Sequence, residues 1–103
     1  MYDVELSDEA ISDYQSAVSW YEEQKSGLGF DFSVRLSDAF TDIGERPSTQ
    51  RFLFGNCRFA FVKQFPFKVY FFVDEDKLSI LIFAILHEKR NPQVWQKRSK
   101  RFK

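Results

Sequence analysis

The chain has 103 residues, 44% of them hydrophobic and 18% aromatic, which is enough apolar matter for one packed core and too little length for two, and which excludes a disordered or linker-like chain. A single cysteine, Cys57, excludes the internal disulfide framework on which small secreted domains rely. The formal net charge is zero, yet residues 1–46 hold eleven acids against three bases (−8) and the remainder four acids against twelve bases (+8), so one end suits a polyanion or an acidic partner.

Tyr2 to Leu6 alternates apolar Tyr2, Val4 and Leu6 with Asp3 and Glu5, the period of a strand covered on one face. Ser7 then stands where an N-cap belongs, with Asp8 and Glu9 favouring the dipole of the first turn. Ala10, Ile11, Tyr14, Ala17, Val18 and Tyr21 recur at helical spacing to about Gln24, while Asp13, Gln15, Ser16 and Ser19 are expected to face away. Lys25, Ser26 and Gly27 break this helix. Leu28, Phe32, Leu36, Ala39, Phe40 and Ile43 form a second stripe ending near Gly44 and Pro47, which predicts an antiparallel helical hairpin.

After Pro47 the pattern changes to Phe-rich alternation over Arg51–Phe54, Asn56–Lys63, Phe67–Val73 and Leu78–Leu86, with turn chemistry at Gly55-Asn56 and Asp74 to Lys77. These segments predict an antiparallel meander. Leu78 to Leu86 is apolar at both parities, with Leu78, Ile80, Ile82, Ala84 and Leu86 on one face and Leu81, Phe83 and Ile85 on the other, as expected of an inner strand covered on both sides. It falls well short of the ~20 residues of a membrane span. A short helix opens with Pro92 at its first position and carries Val94 and Trp95 into the basic end QKRSKRFK. The expected fold class is α+β, in the order β-α-α-β-β-β: a helical hairpin on a mostly antiparallel sheet, with a short C-terminal helix, forming one domain over 1–103 with a basic tail from about 92. The N-terminus lacks a basic region followed by an apolar one, so no secretory signal is visible and a cytoplasmic location is expected.

The order of elements, together with WYEEQKSGLGFDF (Trp20 to Phe32), Pro47, Arg58, FPFKVYF (Phe65 to Phe71) and the run His87-x-x-Arg90-x-Pro92-x-x-Trp95-x-x-Arg98, resembles the RelE/ParE superfamily of toxins from type II toxin–antitoxin modules. The similarity spans nearly the whole chain, and the WYE-GLG turn and the RNP-x-x-W tail look closer to the ParE-like branch. The resemblance implies a growth-inhibiting toxin of the kind associated with plasmid stabilization. It also implies a hetero-oligomer with a cognate antitoxin, whose acidic, disordered segment folds on binding. ParE-like members are known for poisoning DNA gyrase without being nucleases, RelE-like members for cleaving mRNA on the ribosome, and an inactive or regulatory relative that only binds its antitoxin is the third alternative.

Cleavage of RNA through its 2′-hydroxyl needs a base, an acid and cations for the phosphate charge. Arg58, His87 and Arg90 are the candidate catalytic set, with Lys89 beside them, because His87 is the sole histidine and suits either proton-transfer role. Against this, a His at a strand end also caps a carbonyl or packs on an aromatic such as Trp95 or Tyr70, and Arg58 also suits a pairing with Glu88 or an antitoxin carboxylate. Arg90, Lys97, Arg98, Lys100, Arg101 and Lys103 suit phosphate contacts, but a basic tail of this kind is more often simply solvated. Trp20, Tyr21 and Glu22 are read as core packing, and Cys57 as a core or edge thiol. One His and one Cys make no metal cluster, and the Gly27 to Gly29 run joins two helices rather than following a strand, so no cofactor is expected.

Overall fold

A computed structural model describes residues 1–102. Strand β1 (Asp3–Leu6) leads into helices α1 (Asp8–Gln24) and α2 (Leu28–Glu45). A short 3-10 turn (Pro47–Thr49) follows, then strands β2 (Arg51–Phe54), β3 (Cys57–Phe61), β4 (Phe67–Asp74) and β5 (Ser79–His87), and helix α3 (Gln93–Ser99). The helices start and stop where the side chains dictate. The Ser7 hydroxyl accepts the Ala10 amide at 3.1 Å, closing the N-terminus of α1. At the hairpin the N-cap of α2 is Gly27, which has no side chain and takes φ 90°, so Glu22 supplies the cap from the previous helix, accepting the Gly27 and Gly29 amides at 3.0 Å each.

The sheet order is β1-β5-β4-β3-β2, with β1 parallel to β5 and every other pair antiparallel. Five strands form, one more than the β-α-α-β-β-β order counts: the segments read as Arg51–Phe54 and Asn56–Lys63 stay separate as β2 and β3 because the chain turns tightly at Gly55, with φ 49°. The helical hairpin covers one face through Phe32, Leu36, Ile43, Val69, Phe71, Ile80, Ile82 and Ile85. Helix α3 covers the other, where Trp95 stacks on Tyr70 at 5.4 Å and packs with Phe54, over Phe72, Phe83 and Leu86. Pro92 caps α3 instead of opening it, so the helix starts at Gln93, one residue later than the sequence suggests.

Strand β5 lies inside the sheet with both faces buried, as its composition implies, but its alternation is interrupted. Register passes from Phe71↔Ile82 to Tyr70↔Ala84, leaving Phe83 as an extra residue in a bulge. Ile82 and Ile85 therefore both face the hairpin, whereas Phe83, Ala84 and Leu86 face α3, in place of the strict alternation expected from the sequence. Two other expectations change on α1. Ile11, in the expected apolar stripe, is exposed, and Trp20, one residue off that stripe, is 56% exposed and only leans edge-on against the buried Tyr21.

Candidate functional site

The bulge decides which groups meet at the C-terminal end of β5. Strand β1 pairs with β5 only as far as Leu6↔Ile82, and Ser7 N–H closes the ladder on the Ile82 carbonyl at 2.9 Å. Beyond that point the edge of β5 would be bare, and two side chains replace the missing strand. The Asp13 carboxylate on α1 accepts the Ile85 amide at 2.9 Å, and the Arg98 guanidinium on α3 donates to the Phe83 carbonyl at 3.2 Å. Asp13 and Arg98 join each other in a two-pronged pair, Nη1 to Oδ2 at 2.6 Å and Nη2 to Oδ1 at 3.2 Å, with side chains only 12% and 14% exposed. Glu9 adds a second carboxylate to the Arg98 guanidinium at 3.5 Å and also pairs with Arg101. Chiefly through the bond to Asp13, the Arg98 pKa is raised.

This pair revises two expectations. Asp13 does not face away: it stands three residues after Ala10 and four before Ala17, both buried, and that spacing is the signal that places it in the buried stripe. Arg98 is not a solvated tail residue, since Trp95 and Arg98 at i and i+3 share the face of α3 that turns inward. Lys97, Lys100 and Arg101 are exposed, and Lys103 lies outside the described residues.

His87 projects on the hairpin side, with Ile85, into a cleft of about 310 Å³ between α1 and the end of the sheet, shared with Ser16, Phe67 and Arg90. Its ring meets Phe67 edge-on at 5.5 Å, not Trp95 or Tyr70, which belong to the opposite face. Its Nδ1 accepts the Lys89 amide at 3.1 Å, which leaves Nε2 to carry the N–H of the neutral ring. The His87 carbonyl accepts the Arg90 amide at 2.9 Å, so the turn that carries both residues is tied to itself.

Arg58 is elsewhere. It pairs across the sheet with Phe71, whereas His87 pairs with Phe67, so the two are four residues apart along β4 and two strands apart across it. That separation is about 16 Å between Cα atoms, too far for both to touch one phosphate. The Arg58 guanidinium donates to the Gln50 carbonyl at 2.9 Å and lies over the Phe52 ring, and Glu88 is not its partner. The candidate set thus divides into His87 with Arg90 in one cleft and Arg58 in another corner. Among the described residues no group of His, Cys, Asp and Glu is arranged to hold a metal ion.

Cys57 is buried on the α3 side of the sheet, and burial pushes its thiol up to about 12 from an ordinary value of 9.0, with the neighbouring Tyr70 phenol raised by burial as well. Both groups prefer the uncharged form in the fold. Their contribution to stability is complete below the unfolded thiol's pKa and declines as pH rises from there toward the folded value. Ellman's reagent is therefore expected to leave Cys57 unmodified in the native protein at neutral pH and to modify it fully in denaturant, with the unfolding midpoint dropping above about pH 9. Complete modification of the native protein would contradict this burial.

No protein-family model matches the chain, and neither does any curated protein sequence. Solved structures do. A structure described as the chromosomal ParDE system from P. aeruginosa superposes with a TM-score of 0.71 at 14% identity, covering 84% of this chain and 96% of that one. A mutant of the E. coli toxin RelE in the free state gives 0.71 at 14% identity over 97% and 96% of the two chains. The intact E. coli RelBE toxin–antitoxin complex gives 0.62 at 13% identity over 87% and 100%. No helix among the described residues is long and apolar enough to cross a membrane. The chain has the fold of the RelE and ParE toxins.

Proposed function

We propose that the chain is the toxin of a type II toxin–antitoxin module, ParE-like in acting by binding a cellular protein, DNA gyrase, in the cytoplasm, and held inactive in a hetero-oligomer with a cognate antitoxin. The observation that carries this reading is the shared fold over nearly the whole length of both chains. The preference for binding over catalysis rests on the site. Proton transfer and phosphate stabilisation demand groups within hydrogen-bond reach of one reacting centre, and the register keeps Arg58 and His87 far apart. The second reading is a RelE-like mRNA endonuclease, favoured by the cleft that His87 and Arg90 line together.

Induced expression separates the readings. Growth arrest with inhibited supercoiling and accumulated gyrase–DNA cleavage complexes is the expected result, and these are expected to persist in His87→Ala. Cuts in translated transcripts at the ribosomal A site, abolished in His87→Ala, would transfer the chain to the nuclease reading. Expression without any arrest would remove the toxin reading and leave antitoxin binding as the whole activity.

A further inference from the structure

Strand β2 ends the sheet, and among the described residues no strand covers its outer edge. Natural sheets protect such an edge, yet this one carries Phe52 at 60% exposure, and Phe61 on the neighbouring strand is 50% exposed. Four cations stand around these rings: Arg51 on β2, Arg58 on β3, Lys68 on β4 and Lys63 in the turn after β3. Among the described residues none of the four has a carboxylate within ion-pair distance. Three lie over phenyl rings instead. The Arg51 guanidinium is 5.5 Å from the centre of Phe61, that of Arg58 is 5.7 Å from Phe52, and the Lys68 ammonium is 4.9 Å from Phe59 and 5.8 Å from Phe61. Cation–ring contacts hold a charge in place without neutralising it, so Arg51, Arg58 and Lys68 make a positioned positive field at this corner. Exposed Asp3 and Glu5 mark the opposite edge of the sheet, and most of the other acids ride on the helical hairpin; of these, Asp38 and Asp42 share a cleft with Phe61 and Lys63, so the field rests on Arg51, Arg58 and Lys68.

We propose that this edge docks an acidic segment in extended form, which joins the sheet as a sixth strand against β2. Main-chain hydrogen bonds along Arg51 to Leu53 supply attachment. The added strand's two faces supply selectivity, because side chains alternate. Carboxylates on one face meet Arg51 in the field of Lys68, and apolar side chains on the other cover Phe52. A single-stranded nucleic acid would also suit cations and aromatic rings, but it binds by stacking bases on ring faces, and here cations already lie over the faces of Phe52, Phe59 and Phe61. The surface deepens the toxin reading by giving an acidic partner its seat, and it rests on that reading only for the partner's identity.

The test uses the purified full chain and a short fluorescent peptide alternating glutamate and valine. Binding is expected to weaken with added salt and to fall by about tenfold or more in the double variant Arg51→Glu, Lys68→Glu, while Lys100→Glu, in the exposed tail, leaves it unchanged. Arg51→Gln gives a smaller loss in the same direction, and circular dichroism confirms that each variant is folded. Two further peptides, N-methylated on one or the other set of alternate amides, separate strand pairing from charge attraction, since only one of them should lose affinity. Unaltered binding in the double variant, equal loss with both methylated peptides, or tighter binding of an oligouridylate that the same double variant removes would each overturn the proposal. So would a chain that self-associates through this edge and binds no peptide, because a second copy's Asp3 and Glu5 edge would then be the occupant. A toxic chain that binds no acidic peptide sinks the docking edge and leaves the toxin reading intact.

Discussion

Replacing Arg98 with alanine is expected to lower the stability of the fold by about 3 kcal/mol, which for a chain of this size is a fall in melting temperature on the order of 12–24 °C. The size follows from what remains behind. Asp13 would keep only the Ile85 amide, its carboxylate still largely shielded from water, and the Phe83 carbonyl would lose its donor at a sheet edge that no strand covers. A buried ion pair need not exceed an apolar substitute in stability, but half of one costs far more than both halves removed. The double variant Asp13→Ala, Arg98→Ala is therefore expected to be less destabilised than the sum of its singles, with a coupling of about 1–3 kcal/mol in a thermal or urea double-mutant cycle. Asp13→Asn, which still accepts from Ile85 but lacks the charge, should fall between wild type and Asp13→Ala. Arg101, whose pairing with Glu9 is solvent-exposed, serves as the comparison: Arg101→Ala is expected to cost well under 1 kcal/mol. Additive singles would mean that Asp13 and Arg98 act on the β5 edge independently.

The contrast between these two arginines explains how much of the molecule was legible in the sequence. Helix limits were readable because their causes are local: Ser7 caps α1, Lys25 to Gly27 break it, and the stripes of α1 and α2 repeat at helical spacing, whereas Glu22, expected in the core, is exposed and caps the hairpin turn. The meander was readable for the same reason, through its turns. What was not readable depends on pairing between distant segments. Nothing in Ser79 to His87 announces that Phe83 is an extra residue, since a bulge exists only relative to β4, and the side on which His87 emerges follows from it. The distance from His87 to Arg58 likewise depends on two registers that no local pattern fixes. The Asp13–Arg98 pair lies between these cases. Each residue sits on the buried face of its own helix by simple spacing, but the need they answer, an amide and a carbonyl left where β1 stops, belongs to the sheet.

Gly29→Ala is the second substitution with a large expected effect, and here local propensity and packing oppose one another. Alanine favours a helix over glycine by about 1 kcal/mol, so an isolated α2 would gain from the change. In the hairpin, a Cβ at this position would stand 2.7 Å from the Val18 carbonyl oxygen and 3.0 Å from Glu22 Cβ, and the first of these is backbone that cannot rotate away. The two helices must then separate by several tenths of an ångström at their closest approach. That separation loosens the Tyr21–Phe32 stack, now 5.1 Å between centroids, and pulls the Glu22 carboxylate from the two amides it caps. Overpacking of this kind costs about 1–3 kcal/mol, which offsets the propensity gain and leaves a net loss of up to about 2 kcal/mol. Calorimetry should record the drop together with a weakened near-ultraviolet dichroism from the Tyr21 cluster. Gly27→Ala separates the two roles of the glycines: nothing lies within 4 Å of its added carbon, so its loss of about 1 kcal/mol comes from the positive φ alone and leaves that aromatic signal intact. If Gly29→Ala melts at or above the wild-type temperature, the hairpin yields without cost and the close approach of α1 and α2 is not what the glycine secures.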